Sequence, residues 1–229
     1  MSKRVNLQDW NLIDYKKAWE EQTDLHKELI EIKRADRKVD FQGHLILCEH
    51  PAVYTLGKSG SEDHLLVNAE QREAQGLQYY KINRGGDITH HGPGQLVGYP
   101  ILDLEYWYRD VHRYVRSIEQ VIIDTLAHYE ITGMRMDGFT GVWTDRGDAG
   151  FQKLCAIGVH LSRWVSMHGF ALNVNNDLNL FKNIVPCGIT NENMSVTSME
   201  AVSGTKIDIE DVKKKIASTF AQQFECELI

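Results

Sequence analysis

Cys187 is the residue whose neighbours best suit it to react. It stands in Ile184-Val185-Pro186-Cys187-Gly188-Ile189, where the proline fixes a turn and the glycine opens the backbone beside the sulfur. A thiol in such a turn can attack a bulky electrophile once a nearby cation or base makes thiolate available, because free cysteine titrates near ~8.5. Lys153 is the candidate for that help. It interrupts the apolar run Phe151-Gln152-Lys153-Leu154-Cys155-Ala156-Ile157-Gly158-Val159, so its side chain must snorkel to the strand end, pair with an anion, or face a cavity. The remaining cysteines read differently. Cys48 looks like a small buried hydrophobe in an apolar strand, and Cys226 falls at the end of the last helix. Cys155 lies two residues beyond Lys153, on the same face if the strand is regular.

The second concentration of chemistry is Arg84-Gly85-Gly86-Asp87-Ile88-Thr89-His90-His91-Gly92-Pro93-Gly94-Gln95. Its glycines and proline specify tight turns, and the missing Cβ atoms let a ligand approach the main chain. The loop lacks both the GxGxxG spacing of dinucleotide folds and the GxxxxGK[ST] of a phosphate loop, so neither ATP nor NAD is indicated. Adjacent histidines on an extended segment point to opposite faces, so His90 and His91 cannot easily share a metal. No HExxH or CxxC pair supplies further ligands, and no metal or other cofactor is expected. In the plainest reading one histidine is core and the other exposed; in the sharper one, one of them lines a substrate pocket.

These groups need a scaffold. The spacing of Leu12, Tyr15, Trp19, Leu25, Leu29 and Ile32 predicts a helix over 11–34. A second helix is predicted over 110–129, with Val111, Val115, Ile118, Val121, Ile122 and Leu126 as its stripe. A third starts after the N-cap candidate Asp208 and runs through Val212, Ile216, Phe220 and Phe224. Between them, segments near 43–49, 77–83, 95–102, 133–145, 151–161 and 164–174 read as strands. Several follow one another with no room for a helix and should form antiparallel hairpins. The expectation is a single α+β domain over 1–229, a mixed and mostly antiparallel sheet with helices covering one face.

Composition sets the outer limits. The 229 residues can bury one sizeable core, and 42% hydrophobic with 25% charged residues is ordinary for a soluble protein. No apolar run approaches the ~18 residues of a membrane span. The N-terminus turns polar before a signal core could form, so a cytoplasmic protein is expected. A formal charge of −7 argues against general nucleic-acid binding. The basic clusters Lys33–Lys38 and Lys213–Lys215 read as solvated helix faces.

Together the motifs resemble the lipoyl(octanoyl) transferase family, the octanoyl-acyl-carrier-protein:protein N-octanoyltransferases. The resemblance runs from His50-Pro51 and Val53-Tyr54-Thr55-Leu56-Gly57, through Arg84-Gly85-Gly86, Thr89, His91 and Gly94-Gln95, to Lys153 with Ala156-Ile157-Gly158. It continues in Trp164–Asn173 and ends in Pro186-Cys187-Gly188-Ile189 with Val196-Thr197-Ser198. It implies the catalytic-domain fold of biotin and lipoate protein ligases and a Cys187/Lys153 dyad. It further implies an acyl pocket lined by Arg84, Gly85, Gly86, Asp87, Ile88, Thr89, His90, His91, Ala156, Ile157, Gly158, Gly169, Phe170 and Ala171. The implied donor is octanoyl-acyl carrier protein. The implied acceptors are lipoyl domains of oxoacid dehydrogenase complexes and the glycine cleavage carrier protein. Neither nucleic acid nor membrane is an expected partner, and the chain is expected to act as a monomer. Two features depart from the family pattern: the long stretch Trp143–Gly150 before the lysine strand, and Cys155 where a small residue such as alanine is usual. Rival readings are an ATP-dependent lipoate ligase, an amidotransferase moving lipoyl groups between proteins, and a non-catalytic acyl-carrier-binding module.

Overall fold

The computed structural model describes residues 3–185 and 194–229, so Cys187, with Pro186 and Gly188 beside it, lies outside the described residues. Strand β1 (Lys3–Leu12) leads into α1 (Tyr15–Arg34), β2 (Gly43–Glu49) and β3 (Val53–Leu56). Helix α2 (Ala69–Ala74), β4 (Gln78–Lys81), β5 (Ile88–His91) and β6 (Gln95–Leu102) follow. Helix α3 (Val111–Ala127) precedes β7 (Met134–Met136), β8 (Phe139–Asp145), β9 (Phe151–Ser162) and β10 (Val165–Asn173). After β11 (Met194–Val196) come α4 (Met199–Ser203), α5 (Ile209–Gln223) and β12 (Cys226–Leu228).

The main sheet has the order β12-β1-β2-β6-β10-β9-β8-β7, with β11 pairing β9 beside that path. Strands β6, β10, β9, β8 and β7 pair antiparallel, whereas β1 runs parallel to both β2 and β12. A second sheet, β4-β3-β5, holds the strand that the glycine-rich segment forms at Ile88–His91. The expected mixed sheet flanked by helices is present.

Helices cover both faces of the main sheet, not one. Successive side chains of a strand point to opposite faces. Leu45, Leu47, Leu96, Phe170 and Leu172 therefore pack with Ile118, Ile122, Ile216 and Phe220 of α3 and α5. Their neighbours Ile46, Cys48, Val97, Tyr99, Ile101 and Ala171 pack with Leu29 of α1. Each buried aliphatic or aromatic side chain contributes roughly 1.5–3 kcal/mol, which makes this two-sided burial the main support of the central strands. Burial on both faces also explains why β2 reads as an unbroken apolar run.

The three long helices start where side-chain oxygens can cap them. Asp14, Asp110 and Asp208 accept from the amides of Lys17, Arg113 and Glu210. The first helix consequently begins after Asp14, and residues 11–12 belong to β1. Its buried stripe runs through Tyr15, Ala18, Gln22, His26, Leu29 and Ile32. In α3, Tyr114 and Ser117 face the core, while Val111 is exposed. Cys226 sits in β12 rather than on a fraying helix end. Lys213 is buried and bonded to Asp9 and Glu210, not solvated, and Lys33 pairs with Asp103 and Glu105. Among the described residues, no helix is long and apolar enough to cross a membrane.

Candidate active site

A cavity of about 460 Å3, counting its open mouth, lies between the glycine-rich segment and strands β6, β9 and β10. Arg84, Gly86, Thr89, His91, Ala156, Ile157, Gly158, Gly169, Phe170 and Ala171 line it. So do Tyr15, Val97, Tyr99 and His168, which the sequence reading did not single out. A narrower chamber shares Thr89, Ala156 and Ala171 with it and adds Gln95, Asn173, Val196 and Lys153. Gly85 and Asp87 line a third hollow, which reaches Lys153 from the side of Phe139 and Val111. Ile88 and His90 point away from the first cavity. Ile88 packs with Tyr54 and Phe181, and the His90 ring lies 5.4 and 5.3 Å from those same two rings. The period of two along β6 (Gln95, Val97, Tyr99) is the signal that could have found Tyr99 from the sequence.

The glycine-rich segment is held by a continuous set of buried hydrogen bonds. Arg84 Nη2 donates to the Thr55 carbonyl (2.6 Å) and to Thr55 Oγ1 (3.0 Å). Thr55 Oγ1 stands 3.4 Å from His91 Nε2, and His91 Nδ1 donates to Gln95 Oε1 at 2.8 Å. Gln95 Nε2 donates to the His90 carbonyl and Asn173 Oδ1, which fixes the amide's orientation. Asn173 Nδ2 then donates to the Thr197 carbonyl, and the Thr197 amide to the Lys153 carbonyl at 3.0 Å. Loop and lysine strand are thus tied to each other. Gly158 lets them meet: a Cβ there would lie 2.8 Å from the Gly85 carbonyl, while the Gly85 amide donates to Val159 O.

Both histidines of the segment are buried, so the reading with one of them exposed does not hold. They do point to opposite faces. The His91 ring stacks 5.7 Å from Tyr15, on the side opposite Tyr54 and Phe181. Burial pushes His91 well below the usual imidazole range, and His90 down to about 4. His50 is also lowered to about 4 by burial, with Nδ1 donating to Ile13 O and Nε2 accepting from the Tyr99 hydroxyl at 2.7 Å. His168 is lowered to about 3, by burial first and then by the Arg84 guanidinium. It keeps φ at 62° inside β10 and bonds to Asn83. Every one of these imidazoles is neutral at physiological pH. Of the four, His91 and His168 line the cavity, whereas His50 and His90 lie outside its lining. Among the described residues, no cluster of three or more His, Cys, Asp or Glu side chains could hold a metal.

Lys153, like Arg84, is a buried basic residue of this site. It is 4% exposed, so it does not snorkel, and its Nζ lies 4.6 Å from the centre of the Trp143 ring. A bulge in β9 sets its direction. Val142 pairs with Cys155 and Trp143 with Lys153, so one step on β8 matches two on β9 and Leu154 is the additional residue. Lys153 therefore faces the chamber with Ala156 and Ala171, while Cys155 joins Val142 and Leu172 in the core under α3. The expectation that the two share a face fails for this reason. Cys155 is fully buried, and desolvation pushes its thiol far up, overriding the small opposing effect of Lys153. The long hairpin after Trp143 closes in an ordered turn, with Arg146 N donating to Gly150 O.

The described residues that precede 186 and follow 193 are both paired. The Val185 amide donates to His64 O, and Ile184 bridges to Leu65. His64 in turn bonds Asp87 of the glycine-rich segment. On the far side Val196 pairs with Lys153 itself.

Comparison with known proteins agrees with this geometry. Residues 14–221 match the family model "Lipoyl protein ligase A/B catalytic domain". An octanoyltransferase of Flavobacterium psychrophilum is 50% identical over the whole of both chains, and one of Flavobacterium johnsoniae is 49% identical over the same share. Among solved structures, the bipartite lipoate protein ligase of Thermoplasma acidophilum superposes with a TM-score of 0.74 at 15% identity, covering 99% of this chain and 86% of the other. At that identity the likeness speaks for the fold alone. The family match and the two full-length relatives settle the family: this chain belongs to the lipoyl protein ligase A/B catalytic domain family.

Proposed function

We propose that the protein transfers an octanoyl group from octanoyl-acyl carrier protein to a lysine of lipoyl domains, through a thioester on Cys187. The observation that carries this reading is Lys153, buried where the apolar cavity meets the strand leading from the Cys187 segment, in a chain half identical to octanoyltransferases. The Cys187 thiolate attacks the octanoyl carbonyl carbon; the carbonyl–sulfur bond to the carrier's phosphopantetheine breaks, and that sulfur leaves with a proton. The neutral amine of the target lysine then attacks the new thioester. It loses a proton as the amide forms, and the Cys187 sulfur is released. In the first step Lys153 supports the thiolate as a cation and gives its proton to the departing carrier sulfur; neutral from then on, it takes the amine proton in the second. Thioester exchange is nearly balanced and thioester to amide is downhill, so no nucleotide is consumed.

Burying about seven methylene and methyl groups contributes on the order of 5 kcal/mol, enough to favour an octanoyl chain over a short one. The whole chain acts as one catalytic domain and as a monomer in the cytoplasm. Its acceptors are lipoyl domains of oxoacid dehydrogenase complexes and the glycine cleavage carrier protein. The test is transfer to an apo-lipoyl domain from octanoyl-acyl carrier protein without ATP or magnesium. Transfer under those conditions is the expected result. A requirement for ATP, with free octanoate the better donor, would instead mark a ligase.

A further inference from the structure

Trp143 and Lys153 are cross-strand partners just outside the bulge, and both are almost completely buried, at 0% and 4% exposure. The Lys153 Nζ sits over the indole face, 4.6 Å from its centre, and Phe139 meets the same ring at 5.8 Å and 70°. The hairpin bearing the indole is pinned from below by Glu119 of α3, a carboxylate with no exposure. Glu119 Oε1 accepts from the Gly141 amide at 3.0 Å, while Oε2 takes Arg116 and Arg135 at 2.8 and 3.0 Å. Gly141 has φ of 116°, and a Cβ there would stand 2.4 Å from the Cys155 carbonyl, so β8 reaches this position only with glycine.

Packing alone does not account for an indole here. Among the described residues its buried N–H has no hydrogen-bond partner, a condition that buried tryptophans normally avoid. Phenylalanine would fill a core position without that orphaned donor. What the indole offers beyond phenylalanine is a stronger negative face for a cation. A carboxylate beside Lys153 would bind its N–H groups and hold them. A ring face balances the charge and leaves those donors for the reacting groups.

We infer that Trp143 is the positioning residue for Lys153, its indole face holding the ammonium at the acyl chamber in place of a carboxylate. The inference rests on the catalytic reading of Lys153. The test is single-turnover formation of the acyl-enzyme from octanoyl-acyl carrier protein, with fluorinated tryptophans placed at position 143 alone. Fluorine drains the ring face while keeping its shape, so folding is preserved where Trp143→Leu would leave a cavity in a fully buried position. The rate should fall stepwise with each added fluorine, by roughly tenfold or more over the series, and Trp143→Phe should fall between. The same series in a Lys153→Ala background should be flat, because the two residues act as a unit. A flat series beside a slow Lys153→Ala enzyme would overturn the role of Trp143 and leave that of Lys153 intact. Equal slowing in both backgrounds would reduce Trp143 to packing. A Lys153→Ala enzyme of wild-type rate would instead remove the reading on which the inference stands.

Discussion

On one side of the pocket His91, His50 and His168 are held neutral by burial and bonded to Gln95, Ile13 with Tyr99, and Asn83. On the other side Lys153 rests against a ring face and borders two separate hollows. On the loop side Arg84, His91 and Gln95 make hydrogen bonds that hold the segment's own geometry. On the lysine side the contact found for Nζ among the described residues is the Trp143 ring face. On the proposed reading the difference divides the work: the loop forms a wall of the acyl pocket, and proton movement falls to Lys153.

The largest expected effect breaks that division directly. Lys153→Ala should slow both acyl-enzyme formation and transfer to the lipoyl lysine by about 10²–10⁴. Lys153→Arg keeps the charge but cannot accept a proton, so transfer should suffer more than acylation. Single-turnover rates measured separately for the two half-reactions check this. Wild-type rates in the alanine variant would erase the contrast between the two sides.

A smaller effect concerns the loop side. Burial lowers His50 and His90 to about 4 in the folded protein, against ~6.5 for an unfolded histidine. Between those values the unfolded chain binds more protons than the folded one, so stability falls as pH falls. These histidines' contribution is fully present above about pH 6.5 and is lost on the way down through about 4. Urea unfolding across that range should show the decline, and His50→Gln should make it shallower. Stability independent of pH there would mean that the imidazoles are not held neutral.

The smallest effect sharpens the comparison within one strand. Cys155 lies beyond the bulge in the core, so Cys155→Ala should keep transfer within about twofold of wild type while costing about 1 kcal/mol in stability. Its thiol should alkylate slowly in the native protein, not rapidly as a regular strand would imply. An inactive Cys155→Ala beside an active Cys187→Ala would mean that the reacting sulfur is the wrong one.

Much of this arrangement is legible in the sequence, and the failures have physical causes. The strands at 43–49 and 95–102 and the helix capped by Asp208 follow directly from apolar spacing and cap chemistry. Strand β1 does not, because Asn6, Gln8 and Asp9 dilute its pattern and Leu12 prolongs the stripe of the helix beyond Asp14. Ile88–His91 reads as loop because glycines surround it, yet pairing with Val53–Leu56 makes it a strand. The bulge at Leu154 cannot be read from a period of two, since one additional residue reverses every face after it. The contacts that Trp143 and Asn173 make with the site escape notice for a related reason. They run across strand pairings and through side-chain hydrogen bonds, which leave no local spacing to find.

The central claim is a covalent one, and intact-mass analysis reaches it most directly. After brief incubation with octanoyl-acyl carrier protein and no acceptor, the account expects one added octanoyl group. That group should sit on Cys187, be removed by hydroxylamine, and be missing from Cys187→Ser. An octanoyl thioester that persists in Cys187→Ser, with transfer at the wild-type rate, would contradict it.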